Sequence, residues 1–88
     1  MIAIFYTANW CGVCKSIKPM VDSLCKELDV KLYYSDTSDE KGAALAASKE
    51  ITLLPTIDLI GEKGELRDRI VGGLPLAQMK DRFIGAMR

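Results

Sequence analysis

The stretch Trp10-Cys11-Gly12-Val13-Cys14-Lys15 decides how this chain is read. It sets two thiols three residues apart where an apolar strand, Ile2-Ala3-Ile4-Phe5-Tyr6, should give way to a helix. Two cysteines so spaced on the first turn of a helix can close a small disulfide. The unpaired backbone N–H groups there favour a thiolate over a thiol. A cysteine in that setting ionises below its reference pKa of about 8.5, commonly down to roughly 3.5–7.5. The chemistry implied is thiol–disulfide exchange.

Working outward, the apolar run Ile2 to Tyr6 predicts a central strand covered on both faces, and Thr7-Ala8-Asn9 the loop leaving it. Val13, Ile17, Val21, Leu24 and Leu28 recur at three and four residues, marking one face of a helix from Cys11 to about Leu28. Pro19 should kink it. Val30 to Asp36 reads as a second strand, parallel to the first through a right-handed crossover. Thr37 and Glu40 have the spacing of a capping box, and the alanine-rich run to about Lys49 is the helix it would start, packed closely on the sheet. Thr56–Ile60 and Glu65–Val71, joined by the turn Gly61-Glu62-Lys63-Gly64, predict an antiparallel hairpin. Gly72-Gly73 ends it, and Pro75 suits the first turn of a last helix with Met79, Phe83 and Met87 on its apolar side. Asp58, an acid within an apolar strand, is expected to point at water. Tyr33 and Tyr34 are expected to pack on opposite strand faces.

The 88 residues make one α/β domain, near the low end of what buries its own core. Apolar residues are 49 %, ample for that core. Twelve basic and twelve acidic side chains cancel, so no electrostatic case exists for nucleic acid or an anionic membrane surface. No run approaches the roughly 18 apolar residues of a membrane-spanning helix, and Met1 to Tyr6 is too short for a secretory h-region. Three cysteines are too few for a disulfide scaffold, and a cytoplasmic chain with one close pair is the expectation. Zinc usually needs four protein ligands at a closed site. The chain has no histidine, and Cys25 lies about 16 Å beyond Cys14 along a straight helix at 1.5 Å per residue. Two chains bridging a metal through Cys11 and Cys14 is the alternative left open. Cys25 itself reads as a small buried hydrophobe.

In this order of elements, βαβαββα, the chain resembles the thioredoxin superfamily over essentially its whole length. Trp10-Cys11-Gly12-Val13-Cys14-Lys15 resembles thioredoxin's Trp-Cys-Gly-Pro-Cys-Lys, and Pro19 follows the second cysteine at the expected five residues. Leu54-Pro55-Thr56 is similar to the family's apolar-Pro-Thr segment, and Val71-Gly72-Gly73 to its glycine site before the last helix. The resemblance implies a minimal thioredoxin fold, a four-stranded mixed sheet with helices on both faces. It implies Cys11 as exposed nucleophile and Cys14 as resolving thiol. Pro55 would be cis, and Leu54 would offer its backbone to a substrate peptide. Trp10, Gly12, Val13, Gly72 and Gly73 would border the same groove. It further implies a monomer without bound cofactor or metal beyond the redox-active disulfide, acting on disulfide-containing client proteins. Electrons would come from a thioredoxin reductase or from glutathione.

The departures are specific. The usual N-terminal strand and helix are missing, and Phe5 stands where thioredoxin has a buried aspartate six residues before its nucleophile. Asp58 is the one acid in an apolar strand that could replace it. A glutaredoxin-like enzyme using glutathione is the alternative, favoured by chain length and Gly72-Gly73. Against it stand Trp10 and Gly12, and Leu74-Pro75-Leu76 where an acidic or hydroxyl group would be expected. A binding module without turnover is a third reading. Val13 in place of the motif proline retunes thiolate stability. A reduction potential less negative than the roughly −270 mV of thioredoxin is therefore expected. A glutathione-buffer titration followed by Trp10 fluorescence measures it, and a value at or below that figure refutes the expectation.

Overall fold

In the computed structural model, which describes residues 1–88, the central strand β1 (Ile2–Thr7) carries two rows of side chains with different fates. Ala3 and Phe5 are wholly buried, whereas Ile2 and Ile4 keep part of their surface. The chain continues through α1 (Gly12–Glu27), β2 (Lys31–Asp36), α2 (Glu40–Ser48), β3 (Thr56–Ile60), β4 (Leu66–Val71) and α3 (Leu76–Met87). The strands lie in the order β2-β1-β3-β4, with β2 parallel to β1 and β3 antiparallel to both β1 and β4. This is the βαβαββα mixed sheet that the sequence implies.

Residues opposite one another across a sheet share a face. Phe5 stands opposite Ile57, Ile57 opposite Ile70, and Ala3 opposite Leu59. That face meets Val21, Leu24 and Cys25 of α1 and Met79, Phe83 and Ala86 of α3 in one continuous core. The second face carries Ile4, Asp58 and Arg69 in a row, with Tyr6 opposite Thr56. Lys49, just past α2, shares a hollow with Tyr6 and Asp58 on this side. Cys25 is buried and unpaired in the core, as expected, and burial pushes its thiol up to about 11, with Asp22 adding to the shift.

Several local expectations change. Helix α2 is capped by Asp39, whose Oδ1 accepts the Gly42 N–H at 2.6 Å, and not by Thr37. Aspartate caps at least as well as threonine and stands next to the first helical residue. Thr37 is thereby free to donate its Oγ1 to the Thr7 carbonyl at 2.9 Å. The alanines do not supply close packing: Ala43, Ala44 and Ala47 are exposed. The close approach is at Gly42, where a Cβ would lie 1.8 Å from the Asp36 carbonyl oxygen. In α3, whose N-cap is Pro75, Ala86 faces the core while Met87, one 100° step on, is exposed. Pro19 lies inside α1 without ending it. Tyr33 and Tyr34 stay about half exposed because β2 is an edge strand; Tyr34 packs on Phe5 at 5.5 Å and under the Lys18 ammonium at 4.8 Å.

Gly42→Ala should lower stability by about 1–3 kcal/mol, since either α2 or the end of β2 must move. Urea unfolding measures the loss, and a midpoint equal to wild type contradicts this account of α2.

Candidate functional site

At the end of β1 the chain turns through Asn9 and Trp10, and the Cys11 N–H returns to the Ala8 carbonyl at 3.1 Å. Cys11 takes the N-cap of α1 in extended conformation, and its Sγ accepts the Cys14 N–H at 3.2 Å. A sulfur held over the open amides of a first turn is one whose negative charge is stabilised. Cys11 and Cys14 form a disulfide across a Cα separation of 5.3 Å. Cys14 is sealed, and only 6 % of Cys11 reaches the surface. The implied exposed nucleophile is thus corrected for the disulfide state: the N-cap position folds the sulfur back over the first turn.

The other predicted residues gather around this pair. Leu54–Pro55 is cis, and neither the N–H nor the C=O of Leu54 has a hydrogen-bond partner within the chain. The Pro55 carbonyl accepts the Gly72 N–H at 2.8 Å, with Gly72 at a φ of +84° that favours glycine. Gly73 abuts α1 closely enough that a Cβ would lie 3.1 Å from Val13 Cγ1. The glycine loop is therefore joined to the proline loop on one side and to the cysteine helix on the other. Val13 and Gly12 face outward on the first turn. Trp10 is 73 % exposed and lines a hollow together with Leu54.

A clamp behind Trp10 escaped the sequence reading. The Thr7 carbonyl accepts both the N–H and the Oγ1 of Thr37, at 2.7 and 2.9 Å. Ser38 Oγ accepts the Asn9 N–H at 2.9 Å, and the Ser38 N–H is held by Asp36 Oδ1 at 2.8 Å. The Ser38 hydrogen bonds hold the Asp36 carboxyl below the ordinary carboxylate range. Hydroxyl residues directly after a strand were the available signal, but they have the same appearance as helix caps.

Asp58 is buried, contrary to expectation, because Arg69 on the neighbouring strand grips both its oxygens, at 2.7 and 2.9 Å. The bond to Asp58 in turn raises the Arg69 pKa. Burial, followed by the Asp58 charge, pushes the Tyr6 phenol up. Asp58 shares its face with Ile4 and not with Phe5, so it lies on the opposite side of the sheet from Cys14. It does not replace the missing aspartate. Cys14 belongs to the buried apolar core that also holds Phe5, Val21 and Ile57.

The thioredoxin family model matches residues 1–84. This chain belongs to the thioredoxin family. It is 30% identical to the chloroplastic M-type thioredoxin of Spinacia oleracea over 80 residues, 91% of this chain and 44% of that protein. Among solved structures, mitochondrial thioredoxin 3 of Saccharomyces cerevisiae in its oxidised form is 32% identical with a TM-score of 0.76, covering 91% of this chain and 74% of that one. Thioredoxin 1 of Thermosipho africanus shares the fold at a TM-score of 0.85 and 16% identity, covering 99% of this chain and 94% of that one. The chain spans about half the length of the plant thioredoxins it matches.

Asp58→Asn should lower stability by about 1–3 kcal/mol, since it leaves the Arg69 guanidinium without its counter-charge. The rate of disulfide reduction should stay within about twofold of wild type when measured at a temperature where both are folded. A selective loss of rate with unchanged stability would place Asp58 in the chemistry after all.

Proposed function

We propose that this chain is a thiol–disulfide oxidoreductase that reduces protein disulfides through the Cys11/Cys14 dithiol. The observation that carries the reading is the Cys11 sulfur on the Cys14 amide at a helix N-terminus, beside the unpaired backbone of Leu54. In the reduced protein the Cys11 thiolate attacks one sulfur of a client disulfide, forming a mixed disulfide and releasing the first client thiolate, which takes up a proton. The Cys14 thiol then loses its proton and attacks Cys11 Sγ. The Cys11–Cys14 disulfide forms, the second client thiol leaves, and two electrons have passed to the client. Leu54 would hold the client chain through its free N–H and C=O as an added strand. Gly72, whose missing Cβ would face open space, leaves its side of the groove clear for that approach.

The reading extends to a cytoplasmic monomer with no bound cofactor besides its disulfide, re-reduced by a thioredoxin reductase or by glutathione. Protein clients are favoured over glutathione itself by the apolar surroundings of the pair. Trp10 and Val13 stand exposed beside it, and no charged side chain lines the hollow next to Trp10.

Cys14→Ser removes the resolving thiol and should accumulate client adducts through Cys11. Non-reducing gels and mass spectrometry read them, with release by dithiothreitol and none formed by a Cys11→Ser/Cys14→Ser double variant. A Cys14→Ser protein that associates with clients without a covalent link would make the chain a binding module instead.

A further inference from the structure

The sheet face turned away from Cys14 carries a hollow of about 350 Å³. Its floor is two rows of side chains, each running across β1, β3 and β4. Ile2, Ile60 and Leu66 make the first row, and Ile4, Asp58 and Arg69 the second. Strict alternation along β4 would send Leu66 towards the α1 and α3 core, but Arg67 is an extra residue between the pairs Leu59–Asp68 and Ile60–Leu66. This bulge turns Leu66 onto the second face, where it stays 52 % exposed. Helix α2 does not cover the rows, since only its C-cap residue, Lys49, joins the lining.

Three polar groups here have bonding capacity left over. The Tyr6 Oη is wholly enclosed and has no hydrogen-bond partner in the chain. A hydroxyl buried unpaired lowers stability, so it calls for a reason. The charges that act on it are those of Asp58 and Arg69, which places it at their end of the hollow. Arg69 gives Nε–H and an Nη2–H to Asp58, leaving its other N–H groups unused. Lys49 is exposed and enters no ion pair. Because Asp58 and Arg69 cancel, the Lys49 ammonium is the net charge of the lining, and Glu50 acts on Arg69 from outside it.

We propose that this hollow binds a small carboxylic acid with an aliphatic tail. The tail lies along Ile2, Ile60 and Leu66. The carboxylate accepts from Lys49 and the unused N–H groups of Arg69, and reaches the Tyr6 hydroxyl at the same end. Apolar walls with a few convergent polar groups are the usual form of a small-molecule site, and the volume falls at the low end of the roughly 300–1,000 Å³ such sites occupy. The unused groups are all hydrogen-bond donors, two of them cationic, so the ligand must be an acceptor and an anion. The row of isoleucines and leucine excludes a bare inorganic ion. The site is independent of the disulfide chemistry and stands or falls without it.

The test is a proton–nitrogen NMR titration of the oxidised chain with octanoate, butyrate and octanol. Octanoate should shift the amides of Ile4, Ile60 and Leu66. It should bind about tenfold or more tighter than butyrate, whose tail buries less surface, and tighter than octanol, which lacks the charge. Lys49→Gln, at an exposed position, should weaken octanoate about threefold. Tyr6→Phe should weaken it about fivefold or more while keeping the urea midpoint at or above wild type, because it removes an unpaired buried hydroxyl. Absence of octanoate shifts at millimolar concentration, or shifts that map to the Trp10 side instead, overturn the site. Shifts at the hollow that octanol reproduces and that neither variant weakens show mere apolar contact, and they overturn the carboxylate as its ligand.

Discussion

Hydrogen bonding of β1 on both edges is the constraint from which the rest of the molecule follows. With β2 parallel on one side and β3 antiparallel on the other, the strand cannot slip without moving every side chain to the wrong face. That register sends Phe5 and Ala3 into the α1 and α3 core and Tyr6 and Ile4 to the other side. It also fixes where the strand ends, and so where Cys11 meets the first turn of α1. The redox pair is thus positioned by the sheet before any of its own contacts are made.

Three loops converge on that point and are joined to one another by few bonds. Thr7 holds Thr37, Pro55 holds Gly72, and Gly73 rests on Val13. Each bond links segments far apart in the chain, so the loops are ordered only in the folded molecule. This arrangement leaves the Leu54 backbone unpaired, flanked by the glycine loop and by Trp10. A polar group left open at such a place is costly in a core but inexpensive at a surface that a partner strand can cover.

The order of elements, the hairpin and the cysteine pair were legible because each rests on local chemistry. A run of apolar residues, a helical period, a glycine turn and a Cys-x-x-Cys motif all lie within a few positions of one another. What was not legible depended on neighbours distant in sequence. Asp58 looked like a surface acid until Arg69, on the next strand, came opposite it. Thr37 looked like a helix cap, because a hydroxyl three residues before a glutamate has that pattern whether or not the Thr7 carbonyl claims it first. The alanines of α2 looked like sheet-packing residues. The helix instead presses its one glycine against the sheet and turns most of its alanines outward. In each case the residue type was read correctly and its partner was supplied by the fold.

The state of Cys25 bears on fidelity. A chain with three cysteines has three ways of forming one disulfide, and two of them would engage Cys25. Cys25 is fully enclosed, and its thiol is pushed up to about 11, so at neutral pH almost none of it is present as the attacking anion. It sits on the same helix as Cys14 but three turns further down, beyond the reach of either partner's sulfur. Protonation and distance thus both keep Cys25 apart from the Cys11–Cys14 cross-link.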